Sequence, residues 1–144
     1  MPARFFDHEK LHFYQEVIRF VTWADPLTQS LPAKLSVRDQ LDRAATSIPL
    51  NIAEGNGKFT PPDRCRFFDT SRGSTLECAA CLDVLFVRKL AHEEQVVLSK
   101  EKLARIVQML IGLLRKFSDR AGVLREEEPE YLIDYEHEHE QEHE

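Results

Sequence analysis

Ser47-Ile48-Pro49-Leu50-Asn51-Ile52-Ala53-Glu54-Gly55-Asn56-Gly57 is the stretch from which the fold can be read. Its apolar residues keep a helical spacing, although a proline stands in the middle and two glycines at the end. Lys58-Phe59-Thr60-Pro61-Pro62-Asp63 follows. Thr60 is a good N-cap, the prolines fit a first helical turn, and Asp63 suits its positive end. The reading is therefore one helix closing and another opening across a tight turn. Sixteen residues past Gly57 comes Arg72-Gly73-Ser74. Small residues this dense inside helices predict helices in close contact.

Working backwards, the second helix opens at Ser36, with Asp39 three residues on in a near capping box. Its core face is Val37, Leu41, Ala44, Ala45, Ile48 and Ile52, and Gly55-Asn56-Gly57 ends it. Pro49 removes one backbone donor, so a bend is expected there. Leu31-Pro32-Ala33-Lys34 connects it to a first helix over 7–29. There Leu11, Tyr14, Ile18, Val21 and Trp23 are read as the core face, and Phe13, Val17 and Phe20 as a second apolar face. Pro26 is expected to loosen its last turn. Working forwards, the third helix runs to about Lys89 and buries Phe68, Ser71, Thr75, Cys78, Leu82 and Leu85. It has a second apolar set in Phe67, Leu76 and Phe86. The fourth starts near His92, has the seam Val96, Ser99, Leu103, Ile106, Leu110, Leu113 and Phe117, and stops at Gly122.

Four long helices with short connections predict an all-α, up-down-up-down antiparallel four-helix bundle. The chain has 144 residues, enough for one such core. Its 42% hydrophobic and 31% charged residues fit a soluble globular domain. No apolar run approaches the ~20 residues of a membrane span, and Asp7 interrupts any export signal. Three cysteines without such a signal fit reduced thiols in a cytoplasm. The net charge of −6 hides a division, because every Lys and Arg lies at or before Arg125 while ten acids lie in 126–144. The expected organisation is a mildly basic bundle over 1–125 and a solvated, acidic, His/Glu-rich tail over 126–144.

The segment LDRAATSIPLNIAEGNGKFTPPDRCRFFDTSRGSTLECAACLDV, Leu41 to Val84, resembles the four-helix-bundle proteins encoded in intervening sequences of bacterial 23S ribosomal RNA genes. The strongest pieces are SIPLNIAEGNG and the spacing from Arg66-Phe67 to Arg72-Gly73-Ser74. Ser47, Pro49, Asn51, Glu54, Gly55, Arg72, Gly73 and Ser74 are the structural motif positions. Beyond this segment, about Asp7 to Ser118 is similar in helix pattern only. Cys78, the prolines 61 and 62 and the acidic tail depart from the family pattern. The resemblance implies a ring-like homopentamer. It also implies kinship with the accessory proteins of diversity-generating retroelements, basic bundles that bind a reverse transcriptase and nucleic acid. It carries no catalytic residues.

The residues themselves offer little for catalysis. His8-Glu9-Lys10-Leu11-His12 matches H-E-x-x-H, which needs two histidines on one helix face and a Glu base. Leu11 is expected to point into the bundle, and a third ligand is missing, so a solvated first turn is the simpler reading. Glu9-x-x-His12 is half of a di-iron site, and no facing helix supplies the other half. Cys78-x-x-Cys81 is one pair on a continuous helix and reads as small core residues. Cys65, one turn into the third helix, has no reactive neighbour in view. His137, His139 and His143 could hold a metal, but their spacing is loose and a soluble acidic tail is the simpler reading. The chain is read as non-enzymatic, with no cofactor or metal.

Asn51 and Glu54 are read as helix-to-helix hydrogen-bonding groups. An antiparallel turn near Lys58 would set Glu54 beside Arg64, as an ion pair, and Ser47 beside Ser71. The basic residues carry the functional weight. The turn between helices two and three, the start of the first and the end of the fourth share one bundle end. That end gathers Arg4, Lys10, Lys58, Arg64, Arg66, Arg115, Lys116, Arg120 and Arg125. Asp7, Glu9, Glu54, Asp63, Asp69 and Asp119 offset all but three of these charges. Repeated around a ring, that excess makes a sizeable positive field. Lys58, Arg64, Arg66, Lys116 and Arg120 are the candidate nucleic-acid contacts. No aromatic-interleaved basic motif is evident. The acidic tail, leaving beside this end, would compete with phosphate there. The alternative is a protein-interaction scaffold that docks a partner through Tyr131-Leu132-Ile133-Asp134-Tyr135 or through the oligomer surface.

Overall fold

The computed structural model describes residues 2–118, and the expectations for Arg120, Gly122, Arg125 and the 126–144 tail lie outside them. A single 3-10 turn, Asp7–Lys10, precedes four helices: α1 (His12–Ser30), α2 (Ser36–Gly57), α3 (Pro61–Val87) and α4 (Glu93–Phe117). No strand is present among the described residues. Helices consecutive in sequence are neighbours in space, and α1 also touches α4, closing a four-helix ring. Contacts of α3 with α2 and α4 are the most extensive, whereas α1 sits more loosely. No described helix is long and apolar enough to cross a membrane.

Local chemistry explains the ends. The Thr60 hydroxyl accepts from the Asp63 N–H at 3.3 Å, and prolines fill the first positions of α3. α2 begins at Ser36 itself; its cap is Leu35, which has no side-chain acceptor, so the expected capping box with Asp39 does not form. Both α1 and α2 continue through their prolines, Pro26 and Pro49. α3 ends in a Schellman motif: Leu90 N–H donates to Leu85 C=O at 2.8 Å and Lys89 N–H to Phe86 C=O at 3.0 Å. Lys89 has φ 61°, a left-handed position that usually belongs to glycine. At α4 the Gln95 side chain accepts from the His92 N–H at 3.0 Å. The helix stops at Phe117, before Gly122, because Ser118 turns extended at φ −92°, ψ 121°.

The core faces expected of α2 and α3 are buried as read. Cys81 joins the α3 set, and Val107 and Ile111 widen the buried face of α4. In α4 the lower seam residues Leu113 and Phe117 pack half-buried against the core. The first helix differs. Phe13, Val17, Phe20, Ala24 and Leu27 are buried, and the expected core set, Leu11, Tyr14, Ile18, Val21 and Trp23, is only half-buried. Both stripes have helical spacing, and periodicity alone does not rank them. The stripe with two phenylalanines faces inward, which removes Phe13, Val17 and Phe20 as a surface for subunit contact.

Gly55 marks the closest approach of α2 and α3. A Cβ there would lie 2.8 Å from Cε1 of Phe68 and 3.1 Å from Cβ of Phe67. Its role is clearance rather than helix termination, since no glycine among the described residues takes a positive φ. A Cβ at Gly73 would meet nothing within 4 Å, so the close packing expected at that position is absent from the single chain.

Candidate nucleic-acid interface

Three serines and an asparagine fix the α2–α3 register. Ser71, fully buried, donates its hydroxyl to the Ile48 carbonyl at 2.9 Å. Ser74 Oγ donates to Ser47 Oγ at 2.8 Å, and Asn51 Nδ2 donates to the same Oγ at 2.8 Å and to Ser47 C=O at 2.9 Å. Asn51 therefore bonds within its own helix, and Ser74, not Ser71, meets Ser47. The register is about three residues away from the one expected by counting outward from Lys58. The slip also removes the expected Glu54–Arg64 pair: Glu54 is exposed on α2, and Arg64 packs over Phe117 at 4.9 Å. Arg72 grips Asp69 within α3 at 2.7 Å.

The same close approach builds the basic end. Because Gly55 lacks a side chain, Phe68 sinks to 1% exposure, and Phe117 packs against it with ring centroids 6.0 Å apart. Phe117 then carries two cations, Arg64 at 4.9 Å and Lys116 at 5.2 Å from its centroid. Next to Phe68 in sequence, Phe67 carries two more, Lys58 at 4.9 Å and Arg66 at 5.2 Å. Four of the five candidate residues thus pack on two rings at this bundle end, each cation held by ring quadrupole attraction. Among the described residues only Arg66 of these four also has a carboxylate, Asp63, at 3.8 Å. The turn between α2 and α3 projects Phe59, fully exposed, at the edge of this surface.

The aromatic frame was missed in the sequence. Its signal is three dipeptides in which phenylalanine follows a base: Lys58-Phe59, Arg66-Phe67 and Lys116-Phe117. They are far apart in the chain and become one pattern only when α3 and α4 are antiparallel. Arg4 departs from the expectation in the other direction. It lies beside Gln15, Ile18, Thr22 and Trp23 on the flank of α1, away from the basic end.

The other candidate chemistry dissolves on inspection of the geometry. Leu11 is extended, with ψ 127°, so His8 and His12 do not share a helix. His8 lies edge-on to Tyr14, and His12 meets Glu16 at 3.2 Å. Burial and the nearby Glu9 raise the Tyr14 phenol above its ordinary pKa. Cys78 and Cys81 are buried thiols. Burial, with Cys81 and Glu77 adding, pushes Cys78 up to about 12, and burial and Glu77 raise Cys81. Such thiols are poor nucleophiles. Among the described residues no three His, Cys, Asp or Glu side chains are grouped to hold a metal ion.

Residues 9–112 match the family described as 23S rRNA-intervening sequence protein. The fold is similar to a crystal structure from Bacteroides thetaiotaomicron, described as a protein of unknown function from the S23 ribosomal protein family. The two superpose with TM-score 0.67 at 19% identity, over 71% of this chain and 97% of that one. Among curated proteins, none matches the sequence.

Proposed function

The chain belongs to the 23S rRNA-intervening sequence protein family, and from that premise we propose a cytoplasmic, non-catalytic bundle that self-assembles and binds nucleic acid or a ribonucleoprotein. The contact is the basic end, Lys58, Arg64, Arg66 and Lys116, with Arg120 added from the sequence. One observation carries the reading: four cations are gathered on two rings with a single paired carboxylate among the described residues. Packing on a ring fixes a cation's position without neutralising it, so its charge stays available to phosphate.

The test is a titration of the full chain with fluorescent single- and double-stranded RNA and DNA over a range of salt. Binding should weaken linearly in log–log form. Each lost phosphate contact among Lys58→Ala, Arg64→Ala, Arg66→Ala and Lys116→Ala should reduce the slope by about 0.7–0.9. Slopes indistinguishable from wild type in all four variants would overturn the reading.

Self-assembly rests on a different surface. Phe86 and Val87 near the end of α3 and Val97 and Leu98 near the start of α4 are 43–74% exposed. The Lys100–Asp83 contact at 2.8 Å ties α4 to α3 near these residues. This apolar patch, at the bundle end away from the basic surface, suits a subunit contact. A homopentamer is the assembly proposed. Light scattering should return several times the 16.7 kDa chain mass, and Phe86→Asp with Val97→Asp should reduce it towards one chain. A single-chain mass for wild type at micromolar concentration would refute assembly. The same patch also favours the scaffold alternative, with 131–135 as the docking segment; a partner retained by full chain that binds no nucleic acid would put that reading first.

A further inference from the structure

A second basic surface lies on the flank between α1 and α4. A cleft of about 250 Å³ opens there over Phe20 and Ile106, rimmed by Arg19, Lys102 and Arg105, with Trp23 in its wall. It adjoins a second hollow, on the outer side of α1, where Arg4 lies beside Ile18, Arg19 and Trp23. Lys102 Nζ stands 5.9 Å from the Trp23 ring. Glu16 is the carboxylate in the lining, and it is engaged by His12 at 3.2 Å. Among the described residues Arg4, Arg19, Lys102 and Arg105 make no ion pair. Three like charges around the cleft, with Arg4 in the adjoining hollow, repel each other, and an anion relieves that repulsion. The half-buried Ile18 and Trp23 beside them call for an apolar or aromatic group as well.

The chain contains a segment of that chemistry. Residues 126–136 read Glu-Glu-Glu-Pro-Glu-Tyr-Leu-Ile-Asp-Tyr-Glu, with six acids, Glu126, Glu127, Glu128, Glu130, Asp134 and Glu136, around the apolar and aromatic residues Tyr131, Leu132, Ile133 and Tyr135. Reach permits the contact. From Ser118 back along α4 to Arg105 is about 20 Å at the helical rise, and the eight residues from Ser118 to Glu126 span up to about 26 Å extended. The acids can therefore pass the basic end and come level with the cleft.

We propose that segment 126–136 docks on the α1–α4 flank, with its carboxylates on Arg19, Lys102 and Arg105 and its Tyr131–Tyr135 stretch against Trp23. The occupant is the chain's own segment, which the reach from Ser118 allows. Docked there, the tail leaves Lys58, Arg64, Arg66 and Lys116 open to phosphate, so this inference does not depend on the proposed function.

Trp23 is the one tryptophan of the chain and reports on its own cleft. Quenching by acrylamide, a neutral probe, is measured on the full chain at low salt and at about 1 M salt, where the screening length falls to about 3 Å. Full chain carrying Glu126→Gln, Glu127→Gln, Glu128→Gln and Glu130→Gln should show at least a twofold higher quenching constant at low salt, and high salt should raise the wild-type value towards it. Arg19→Glu with Arg105→Glu should do the same, and Glu→Lys at the four tail positions should restore shielding to that variant. Far-ultraviolet circular dichroism checks that each variant stays helical. Equal quenching in wild type and the four-Gln variant overturns the proposal, whether the tail is then at the basic end, seen as tighter nucleic-acid binding by the four-Gln variant, or solvated throughout.

Discussion

Gly55 and Phe68 are mutually dependent: the ring occupies the space where any other residue at 55 would place its Cβ, 2.8 Å from Cε1. Overpacking of this kind costs about 1–3 kcal/mol, and Ala returns about 1 kcal/mol of helix propensity. Gly55→Ala should thus lower the unfolding free energy by up to about 2 kcal/mol. Gly73→Ala, in open space, should raise it by about 1 kcal/mol. Chemical denaturation of both variants checks the opposite signs. Because Phe68 supports Phe117, Gly55→Ala should also weaken whatever the basic end binds.

Ser71 is fully buried and spends its hydroxyl on the Ile48 carbonyl. Ser71→Ala should cost about 1 kcal/mol, the net worth of one hydrogen bond. Ser71→Val should cost more, because the site is closed. A Ser71→Ala variant as stable as wild type in urea would show that the bond is not what sets the α2–α3 register.

Lys89 holds a left-handed conformation at the α3–α4 turn, which costs an L-residue roughly 1 kcal/mol or more. Lys89→Gly removes that strain and keeps both bonds of the Schellman motif. The expected gain is about 0.5–1 kcal/mol after the greater unfolded freedom of glycine is counted. Thermal unfolding should move up by a few degrees; a fall would mean that the Lys89 side chain stabilises the turn in some other way.

Cys78 gives a pH dependence with a definite sign. Its thiol rises from an ordinary 9.0 to about 12, mainly through burial. The folded state therefore holds the proton more tightly than the unfolded chain. This contribution is complete below pH 9 and is lost as pH climbs towards 12. Three pH units correspond to something on the order of 4 kcal/mol. Cys81 and Tyr14, also raised, act in the same direction. Native protein at pH 8 should resist thiol reagents at Cys78 until it unfolds, as mass spectrometry of the labelled sites would show. Labelling of Cys78 at the rate of the denatured chain would contradict its burial.

Much of the bundle could be read from the sequence because its signals are local. Thr60-Pro61-Pro62-Asp63 announces a helix start by capping chemistry, and α2 and α3 each have one dominant apolar stripe. The first helix has two, and choosing between Phe13-Val17-Phe20 and Tyr14-Ile18-Trp23 needs the volumes of α2 and α4, which periodicity does not contain. Register failed for a similar reason. Counting from Lys58 assumes a symmetrical turn, whereas the fit of Phe68 against Gly55 sets the helices about three residues along. The basic end was located from topology, but its order on Phe67 and Phe117 depends on rings from two helices. The left-handed Lys89 had no glycine to announce it.

The looseness of α1 makes stability uneven along the chain. α2, α3 and α4 are joined by the tightest packing and by the bonds from Ser71 and Ser74, so they form one cooperative block. α1 reaches them across a cleft and through the short 31–35 connection. Local opening free energies follow buried contacts, so amide protons of α1 should exchange with solvent well before those of α3. An opened α1 would expose the inner faces of Leu41 and Leu110 while the other three helices keep their arrangement. The chain then has a partly unfolded form reachable below the global unfolding free energy, and that form, rather than the fully unfolded one, governs its susceptibility to proteases.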